Sequence, residues 1–555
     1  MSDARYFLEN EKQFQLGMLP TEQSSPLTRE VDKNFAASTA KGVRNLQMVD
    51  RNVAAMAKKI LAGKEFAALV ETGTKVLKNG GRIVFSGCGA TGRLSILLEA
   101  MWREAMQNLG GEALCQYGNS VFSIMTGGDY ALIKSVEFFE DYSEFGRQQV
   151  REMGMTACDL LVAITEGGET SSVLGTVAEA TERGARCFLL FNNPAELLRQ
   201  HLERCRQAID NPAVTVLDLS CGPMALAGST RMQATSSEQL IAGAALEKIV
   251  ALLFPRLIND DYDFAMKFSR LLDALESDKA VDGLADYIDF EAELYNRNGM
   301  VTYFADHFLL DIFTDTTERS PTFNLPPFRK NDDTTSAQSW AFVKNPLFPT
   351  PETWQQVFQR APRCLDWRAA DYVRMNVENM VKKQLPQIHY SDLMKFEIGN
   401  EPETCRKSAA ASAAVLLSVG HPSPELLAAF DRFAVNYKKQ RRFSLAEDLG
   451  LGLSQTPLRL MEHMALKLVL NTISTGTMIK IGRVAGNWMS HVTVSNKKLI
   501  DRAVRLLAEI GGMPYEDACH QLFAAKEEIL SQEWPDNATP SIVPYVLKQI
   551  KRNAC

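Results

Sequence analysis

The sequence predicts an α/β protein built on doubly wound parallel sheets. Short apolar runs of strand type alternate with amphipathic helical stretches, and glycine-rich or hydroxyl-rich turns join the two kinds of element. The length supports the same class, because 555 residues are enough for three or four units that each bury a core. The composition, 46% apolar and 23% charged, excludes a disordered or collagen-like chain.

The first 61 residues are expected to form an N-terminal helical segment. A turn is predicted at Thr21–Pro26. One long amphipathic helix is predicted over about Ala36–Leu61, where apolar residues recur at three- and four-residue spacing.

The first sheet unit is predicted at residues 62–262. A strand at residues 81–86 leads through the turn Gly87–Arg93 into a helix over residues 94–109. Further strands are predicted at Leu160–Thr165, Cys187–Phe191 and Val214–Leu219. The short connections between strand and helix indicate a parallel sheet with helices on both faces.

A second, degenerate copy of this unit is predicted at residues 263–496. A strand at Gly299–Ala305 precedes a helix over residues 309–317, with Asp306-His307-Phe308 in place of the glycine-rich turn. Residues 325–351 contain five prolines and are expected to form a loop insertion. A helical segment over residues 497–555 completes the predicted organisation.

Charge and cysteine usage exclude several classes of function. The net charge of −7 offers no electrostatic footprint for nucleic acid, and the basic cluster at residues 438–442 is interpreted as a solvated helix face. The ten cysteines contain no CxxC pair, so neither a metal nor another cofactor is expected and the thiols are interpreted as reduced. No apolar run is long enough for a membrane span and the first residues lack a signal-peptide core, so a cytoplasmic location is expected.

Three turns have the composition of a phosphate site. The turn after the first strand offers glycines, the hydroxyl of Thr91 and the start of a helix, whose N–H groups and dipole attract anions. The turns Thr165–Ser172 and Gly228–Met232 are similarly rich in hydroxyls, and ligands collect where parallel strands end. The alternative is that all three serve only as helix N-caps. The candidate phosphate-binding residues are Gly89, Thr91, Gly167, Thr170, Ser171, Ser229 and Thr230.

Four ordered motifs carry a family resemblance. They are TEQSSPLTREVD at residues 21–32, SGCGATGRL at 86–94, GPMALAGSTRM at 222–232 and LKLVLNTISTGTMIKIGRVAGNWM at 466–489. They resemble signatures of the sugar isomerase (SIS) domain group that contains N-acetylmuramic acid 6-phosphate etherase and glucokinase regulatory protein. The last motif follows the third by roughly 230 residues, which resembles the two-domain layout of the regulatory protein. The resemblance implies two flavodoxin-like SIS domains in one chain, forming an internal pseudo-dimer.

The resemblance also implies two catalytic glutamates. Glu140, in Glu137-Phe138-Phe139-Glu140-Asp141, matches one acid of the etherase. The position of the other acid holds Met101 in the first domain, but the second domain reads Asp315-Thr316-Thr317-Glu318, which supplies Glu318. A composite site between the domains is therefore expected. Lys467 is a candidate cation near the sugar phosphate, or else a helix-surface lysine.

The activity implied is a lyase that releases D-lactate from N-acetylmuramic acid 6-phosphate. A non-catalytic sugar-phosphate sensor, with a sugar kinase as its partner, is the alternative, and aldose–ketose isomerisation fits only the wider SIS group. Glu166 and Glu169 weaken the phosphate interpretation, because they add negative charge to a loop expected to receive a dianion.

Overall fold

The computed structural model describes residues 3–258, 262–377, 385–407, 409, 411–492, 494, 497–532, 534 and 540–553. Within these residues the strands form a five-stranded parallel sheet, a four-stranded parallel sheet and a two-stranded hairpin. The predicted α/β class with two parallel sheets is confirmed.

The N-terminal helices precede the first sheet. They are α1 (Asp3–Asn10), α2 (Val31–Ala37), α3 (Thr39–Gln47), α4 (Asp50–Leu61) and α5 (Lys64–Lys78). The prediction of a single helix over Ala36–Leu61 is wrong. Ser38 has extended backbone angles and ends α2, and a second break at residues 48–49 separates α3 from α4.

The first sheet has the strand order β2-β1-β3-β4-β5, with every pair parallel. Its strands are β1 (Ile83–Gly87), β2 (Val121–Met125), β3 (Leu160–Ile164), β4 (Arg186–Phe191) and β5 (Val214–Asp218). Its helices are α6 (Gly89–Leu109), α7 (Gly111–Tyr117), α8 (Ser143–Met153), α9 (Ser171–Glu182), α10 (Ala195–His201), α11 (Glu203–Ile209) and α12 (Gln233–Leu253). Strand β2 was not predicted, because four of its five residues are buried and they show no clear alternation.

The second sheet repeats this order with one strand fewer. Its strands are β6 (Met300–Phe304), β7 (Ala341–Lys344), β8 (Ser412–Ser418) and β9 (Lys439–Ser444), in the order β7-β6-β8-β9. Its helices are α13 (Phe264–Leu275), α14 (Asp278–Asn296), α15 (Leu309–Phe323), α16 (Thr350–Phe358), α17 (Ala369–Arg374), α18 (Tyr390–Leu393), α19 (Thr404–Lys407), α20 (Pro424–Ala434) and α21 (Leu460–Lys480). The exact division of the chain at residues 62, 263 and 497 stays a prediction.

Two details of the second unit differ from expectation. The stretch at residues 325–351 is not a loop throughout, because β7 and the start of α16 lie within it. The basic cluster lies on the edge strand β9 and not on a helix. There Arg441 covers the rings of Tyr287 and Phe290 and Phe443 is buried, as the alternation of a strand requires.

The remaining elements follow the second sheet in the chain and pack with α1 in a separate hydrophobic cluster. They are the hairpin β10 (Val484–Ala485) and β11 (Trp488–Met489), and the helices α22 (Lys497–Gly511), α23 (Tyr515–Ser531) and α24 (Ile542–Asn553). The largest hydrophobic cluster includes residues of α6, α12, α15 and α21, so the two halves share one core. In the part of the chain described here, no helix is both long and apolar enough to cross a membrane.

Candidate functional site

A cavity that is partly open to solvent lies at the carboxyl edge of the first sheet. It opens where β1 and β3 lie side by side and the connections diverge to either side of the sheet, which is where ligands bind in open α/β sheets. Its walls combine residues that follow β1, β2 and β3 with residues of α15 and α22. Of the predicted site residues, Gly89, Glu140, Thr170, Ser229, Thr230 and Glu318 line it.

The turn after β1 presents the start of α6 to the cavity. Gly89 has φ +56°, a left-handed conformation that glycine adopts at little cost, and both Gly89 and Ala90 line the wall. The hydroxyl of Thr91 is buried and turned back, accepting from the N–H of Cys88 at 3.1 Å and donating to its carbonyl at 2.9 Å. Thr91 therefore shapes the turn, while the helix terminus itself faces the cavity.

Different residues of the turn after β3 line two different cavities. Thr170 lines the main cavity, and Ser171 lines a smaller adjoining space beside Glu140. Gly167 lies behind the wall, where its carbonyl accepts from Nδ2 of Asn193 at 2.9 Å. This turn therefore brings one of its three predicted residues to the main cavity.

The two acids of this turn have different surroundings. Glu169 is buried, and its carboxylate lies 3.6 Å from Nζ of Lys498, which offsets the negative charge. Glu166 lines the cavity, and burial together with repulsion from Glu318 raises its pKa to about 7. The expected excess of negative charge is therefore partly removed.

The third turn is held by the N-terminal segment. The N–H of Gly228 donates to the carbonyl of Thr21 at 3.1 Å. Gly228 has φ +72°, and a Cβ there would lie 2.3 Å from Nε of Arg502, so only glycine fits. The hydroxyl of Ser229 is buried and has no hydrogen-bond partner within the described residues, although Ser229 lines the cavity. It is therefore a hydrogen-bonding group that the described residues leave unused.

Arg231 ties this turn to the second half of the chain. Its buried guanidinium donates to Asp315 at 3.0 Å, to Ser474 at 3.1 Å and to Thr475 at 3.0 Å. Lys467 lies behind the turn, where it donates to the carbonyl of Arg231 at 2.9 Å and lines a separate small cavity. Burial and the nearby Arg231 lower the pKa of Lys467 to about 8. Lys467 is thus neither a surface lysine nor part of the main cavity wall.

Glu140 is positioned by an aromatic anchor. The preceding Phe139 is buried against Phe145, with ring centroids 4.4 Å apart, and stacks on Trp367 at 6.2 Å. The carbonyl of Glu140 accepts from the N–H of Ser172 at 3.0 Å. Packing on both sides therefore holds the carboxylate at the cavity wall.

Glu318 reaches the same cavity from α15 of the second half. Its carboxylate pairs with the guanidinium of Arg93, which is fully buried on α6 and also donates to the carbonyls of Ala131 and Leu132 at 2.9 Å. Arg93 was not predicted as a site residue, although it stands at the fifth position of the helix that follows the glycine-rich turn.

The counterpart of this ion pair is apolar. Arg93 and Leu310 both lie ten residues after the first residue of their strands, β1 and β6, and Met101 and Glu318 both lie eighteen residues after it. Leu310 and Met101 are buried in the shared core. The two positions that correspond to the ion pair, counted from the first strand of the other half, therefore hold buried apolar side chains.

Helix α22 supplies cations that the sequence did not reveal. Nζ of Lys498 lies 3.8 Å from the carboxylate of Glu140, which raises the pKa of that lysine above its ordinary range. Arg502, one turn further along, lines the cavity and pairs with Glu22 at 2.7 Å. The spacing of the two residues puts them on one face of α22, but no local pattern indicates which cavity that face meets.

The doubly wound sheets, with a cavity where β1 and β3 lie side by side, are typical of α/β ligand-binding proteins. Comparisons with known proteins identify the family. The family model described as the glucokinase regulatory protein N-terminal SIS domain matches residues 65–181. The N-acetylmuramic acid 6-phosphate etherase of Enterobacter sp. (strain 638) is 31% identical over 226 residues, which cover 41% of this chain and 68% of that enzyme. The N-acetylmuramic acid 6-phosphate etherase 1 of Bacillus licheniformis is 29% identical over 226 residues, 41% of this chain and 66% of that enzyme.

The chain belongs to the SIS domain family, in the group of N-acetylmuramic acid 6-phosphate etherase and glucokinase regulatory protein. Among solved structures, tagatose-6-phosphate ketose/aldose isomerase from Escherichia coli aligns with a TM-score of 0.41 and 11% identity, covering 80% of this chain and 93% of that chain. Phosphoheptose isomerase from Neisseria gonorrhoeae aligns with a TM-score of 0.27 and 17% identity, covering 36% and 93%.

Proposed function

We propose that this protein is a carbon–oxygen lyase that cleaves the D-lactyl ether of N-acetylmuramic acid 6-phosphate, giving N-acetylglucosamine 6-phosphate and lactate. One observation carries the proposal: Glu140 from the first half and Glu318 from the second half line a single cavity with the hydroxyl-rich turns. The curated relatives named as etherases support the same reaction.

The phosphate would be received by the turns at the sheet edge. The start of α6 offers N–H groups and the positive end of a helix dipole at Gly89 and Ala90. Ser229 offers a buried hydroxyl whose hydrogen bond is not used within the described residues, and Thr230 and Thr170 add hydroxyls to the wall. These groups would fix the sugar so that its reacting carbons face the glutamates.

The reaction needs an acid and a base. One carboxylate removes the proton from sugar carbon 2, which is activated by the neighbouring aldehyde of the open-chain form, and the bond from carbon 3 to the ether oxygen breaks. The other carboxyl protonates the lactate oxygen as it leaves, which gives a double bond between carbons 2 and 3. Water then adds across this double bond, its hydroxyl to carbon 3 and a proton to carbon 2. Such proton transfers by positioned side chains contribute about 100- to 10,000-fold each.

The two glutamates lie in different electrostatic surroundings. Glu318 contacts a guanidinium that is fully buried, whereas Glu140 faces the ammonium of Lys498 across 3.8 Å at the edge of the smaller space. Different surroundings are the means by which two carboxyl groups in one site take opposite roles. The corresponding positions Leu310 and Met101 carry no charge, so within the described residues this paired arrangement of acid and guanidinium is not repeated there.

Lactate release from N-acetylmuramic acid 6-phosphate tests the proposal. The wild type should release lactate in stoichiometric amounts, and Glu140→Gln and Glu318→Gln should each lower kcat by about 100-fold or more. Glu112→Gln, on α7 and away from the cavity, is the matched control and should keep wild-type activity. No lactate from the wild type would refute the lyase proposal.

The second candidate is a sugar-phosphate sensor that acts on a sugar kinase. The match of residues 65–181 to the glucokinase regulatory protein domain favours it. A sensor would be stabilised against heat by fructose phosphates without turning over the muramic acid compound. That pair of results would support the sensor and reject the lyase.

A further inference from the structure

The carboxyl group of Glu166 lies in the wall of the main cavity, beside the turn that leads into α6. The pairing of β1 with β3 sets Ser86 opposite Ala163. Three residues beyond this pair, Gly89 and Glu166 follow the ends of the two neighbouring parallel strands, and both line the cavity. An anion drawn into the cavity by the N–H groups at the start of α6 would therefore share it with this carboxyl group.

Each cation that lines the cavity in the described part of the chain pairs with a carboxylate of the protein. The pairs are Arg93 with Glu318, Arg231 with Asp315, Lys498 with Glu140 and Glu169, and Arg502 with Glu22. Glu166 makes no ion pair within the same residues, and its carboxylate accepts a long hydrogen bond from the hydroxyl of Thr235 at 3.4 Å. An ionised Glu166 would therefore add an uncompensated negative charge to a wall that receives an anion.

The acids around Glu166 favour its neutral form. Glu318 faces it from α15, Glu169 lies in the same turn, and α12 brings the fully buried Glu238 close to it. Burial and repulsion from Glu318 raise the pKa of Glu166 to about 7. Burial and repulsion from Glu166 raise the pKa of Glu238 well above its ordinary value. A second negative charge in this group of acids is therefore costly.

The other neighbours of Glu166 keep one charge state near neutral pH. Burial raises the pKa of the Cys88 thiol to about 12, so this thiol stays neutral. Glu140 raises the pKa of Lys498 above its ordinary range, so this ammonium stays charged. Lys467 on α21, whose pKa burial lowers to about 8, remains largely charged up to about pH 7.5. Within the described residues no histidine lines the cavity. Glu166 is thus the member of this group whose charge changes around neutral pH.

We propose that the main cavity takes up an anionic sugar ester together with one proton, which passes from the solvent to the carboxylate of Glu166 and stays there while the ligand is bound. Glu166 then determines specificity. As a neutral carboxyl it is a hydrogen-bond donor that tolerates an anion in the cavity, and as a carboxylate it repels one. The proposal rests on the anion site of the proposed function, but it does not require turnover.

The sign of the pH dependence follows from the two states of the protein. Without ligand, Glu166 loses its proton as the pH rises through about 7. With an anion in the same cavity it holds the proton to higher pH, because the anion disfavours a second negative charge. The affinity for an anion should therefore be highest below pH 7 and should fall as the pH rises through about 7.

Calorimetry with N-acetylglucosamine 6-sulfate tests the proposal, because a sulfate ester keeps one negative charge over the whole pH range. With a pKa of about 7 for Glu166, the wild type should bind this compound about fourfold more weakly at about pH 7.5 than at about pH 5.5. At about pH 7, titrations in buffers of different ionisation enthalpy should show uptake of about half a proton per ligand, since half of the free protein already carries it.

Two variants assign this behaviour to one residue. Glu166→Gln keeps the size and a hydrogen-bond donor but does not titrate, so it should bind the sulfate ester equally at both pH values and take up no proton. Glu112→Gln, on α7 and away from the cavity, should behave as the wild type does. If Glu166→Gln does not fold, as judged by circular dichroism, the proton uptake of the wild type decides.

The results separate this proposal from the lyase. Equal affinity of the wild type at the two pH values, no proton uptake, or a pH dependence that persists in Glu166→Gln would overturn proton-linked binding. Failure of both N-acetylglucosamine 6-sulfate and N-acetylglucosamine 6-phosphate to bind would overturn it as well. If only the phosphate ester binds, the difference in proton uptake between the wild type and Glu166→Gln decides. Lactate release from N-acetylmuramic acid 6-phosphate decides the lyase independently in every case.

Discussion

Replacing Arg231 by methionine removes the main polar link between the third phosphate turn and the second half. The side chain is buried, and its guanidinium contacts Asp315 at 3.0 Å, Asn471 at 3.3 Å, Ser474 at 3.1 Å and Thr475 at 3.0 Å. Methionine has a similar reach and no donor, so it isolates the loss of these interactions from the loss of packing.

The expected loss of stability depends on the contacts that the partners of Arg231 keep in the variant. Asp315 retains Arg319 at 2.8 Å and Ser474, so its charge is not left alone in the core. The cost should therefore fall at the lower end of the range of about 3–5 kcal/mol for breaking a buried ion pair. The bonds that the charged guanidinium donates to Asn471, Ser474 and Thr475 are lost as well, but this loss is partly offset because the arginine charge no longer has to be buried. We expect the free energy of unfolding to fall by about 3 kcal/mol.

Urea unfolding followed by tryptophan fluorescence measures this loss. Lys33→Met is the control, because Lys33 and Glu30 form an exposed pair whose removal should cost less than about 1 kcal/mol. Combining Arg231→Met with Asp315→Asn should show a coupling energy of about 1–3 kcal/mol. A loss in Arg231→Met no larger than the control, or no coupling, would refute the view that this contact joins the halves.

Three further predictions follow from the site. The pKa of Glu166 is raised to about 7 from an ordinary value of 4.5, so its contribution to stability is lost as pH rises from 4.5 to 7. Unfolding titrations should show Glu166→Gln gaining stability relative to the wild type over that interval, and a constant difference would contradict this. Burial would raise the pKa of Glu22, but Arg502 and Arg505 lower it to about 2 from an ordinary value of 4.5. The ionised carboxylate therefore stabilises the folded state fully above pH 4.5, and this stabilisation is lost as the pH falls through 2. Glu22→Gln should thus be least stable relative to the wild type at neutral pH, and a deficit that persisted at pH 2 would be inconsistent. Lys498→Met leaves Glu140 and Glu169 without their shared cation, so steady-state assays should show kcat/KM falling at least tenfold; unchanged kinetics would contradict its place in the site.

The sequence predicted those parts of the fold and site that depend on local pattern. A strand, a glycine-rich turn and a helix were predicted around residues 81–109, and the structure has them in that order. Helix α6 begins at Gly89, however, five residues before the predicted start at residue 94. Glu140 and Glu318 were predicted from motifs, and both line the same cavity although they lie far apart in the sequence. The strands β2 and β7 were missed because each is short and largely buried, without the alternation that marks an exposed sheet face.

Other features depend on contacts that no local pattern encodes. Lys498 and Arg502 reach the cavity only because α22 packs back against the N-terminal segment, where Glu22 pairs with Arg502. Lys467 stands in a strong motif, yet its ammonium turns to the carbonyl of Arg231. A motif identifies which residues matter, whereas the direction of a side chain is decided by packing between distant elements.

Deuterium exchange at sugar carbon 2 tests the central claim most directly. With N-acetylmuramic acid 6-phosphate in D₂O, NMR should show deuterium at carbon 2 of the product formed by the wild type. If Glu140 and Glu318 act as base and acid in one cavity, one of the two glutamine variants should lose exchange altogether. The other should still exchange carbon 2 of the unreacted substrate while releasing lactate at least 100-fold more slowly. Exchange and lactate release at wild-type rates in both variants would contradict the composite site.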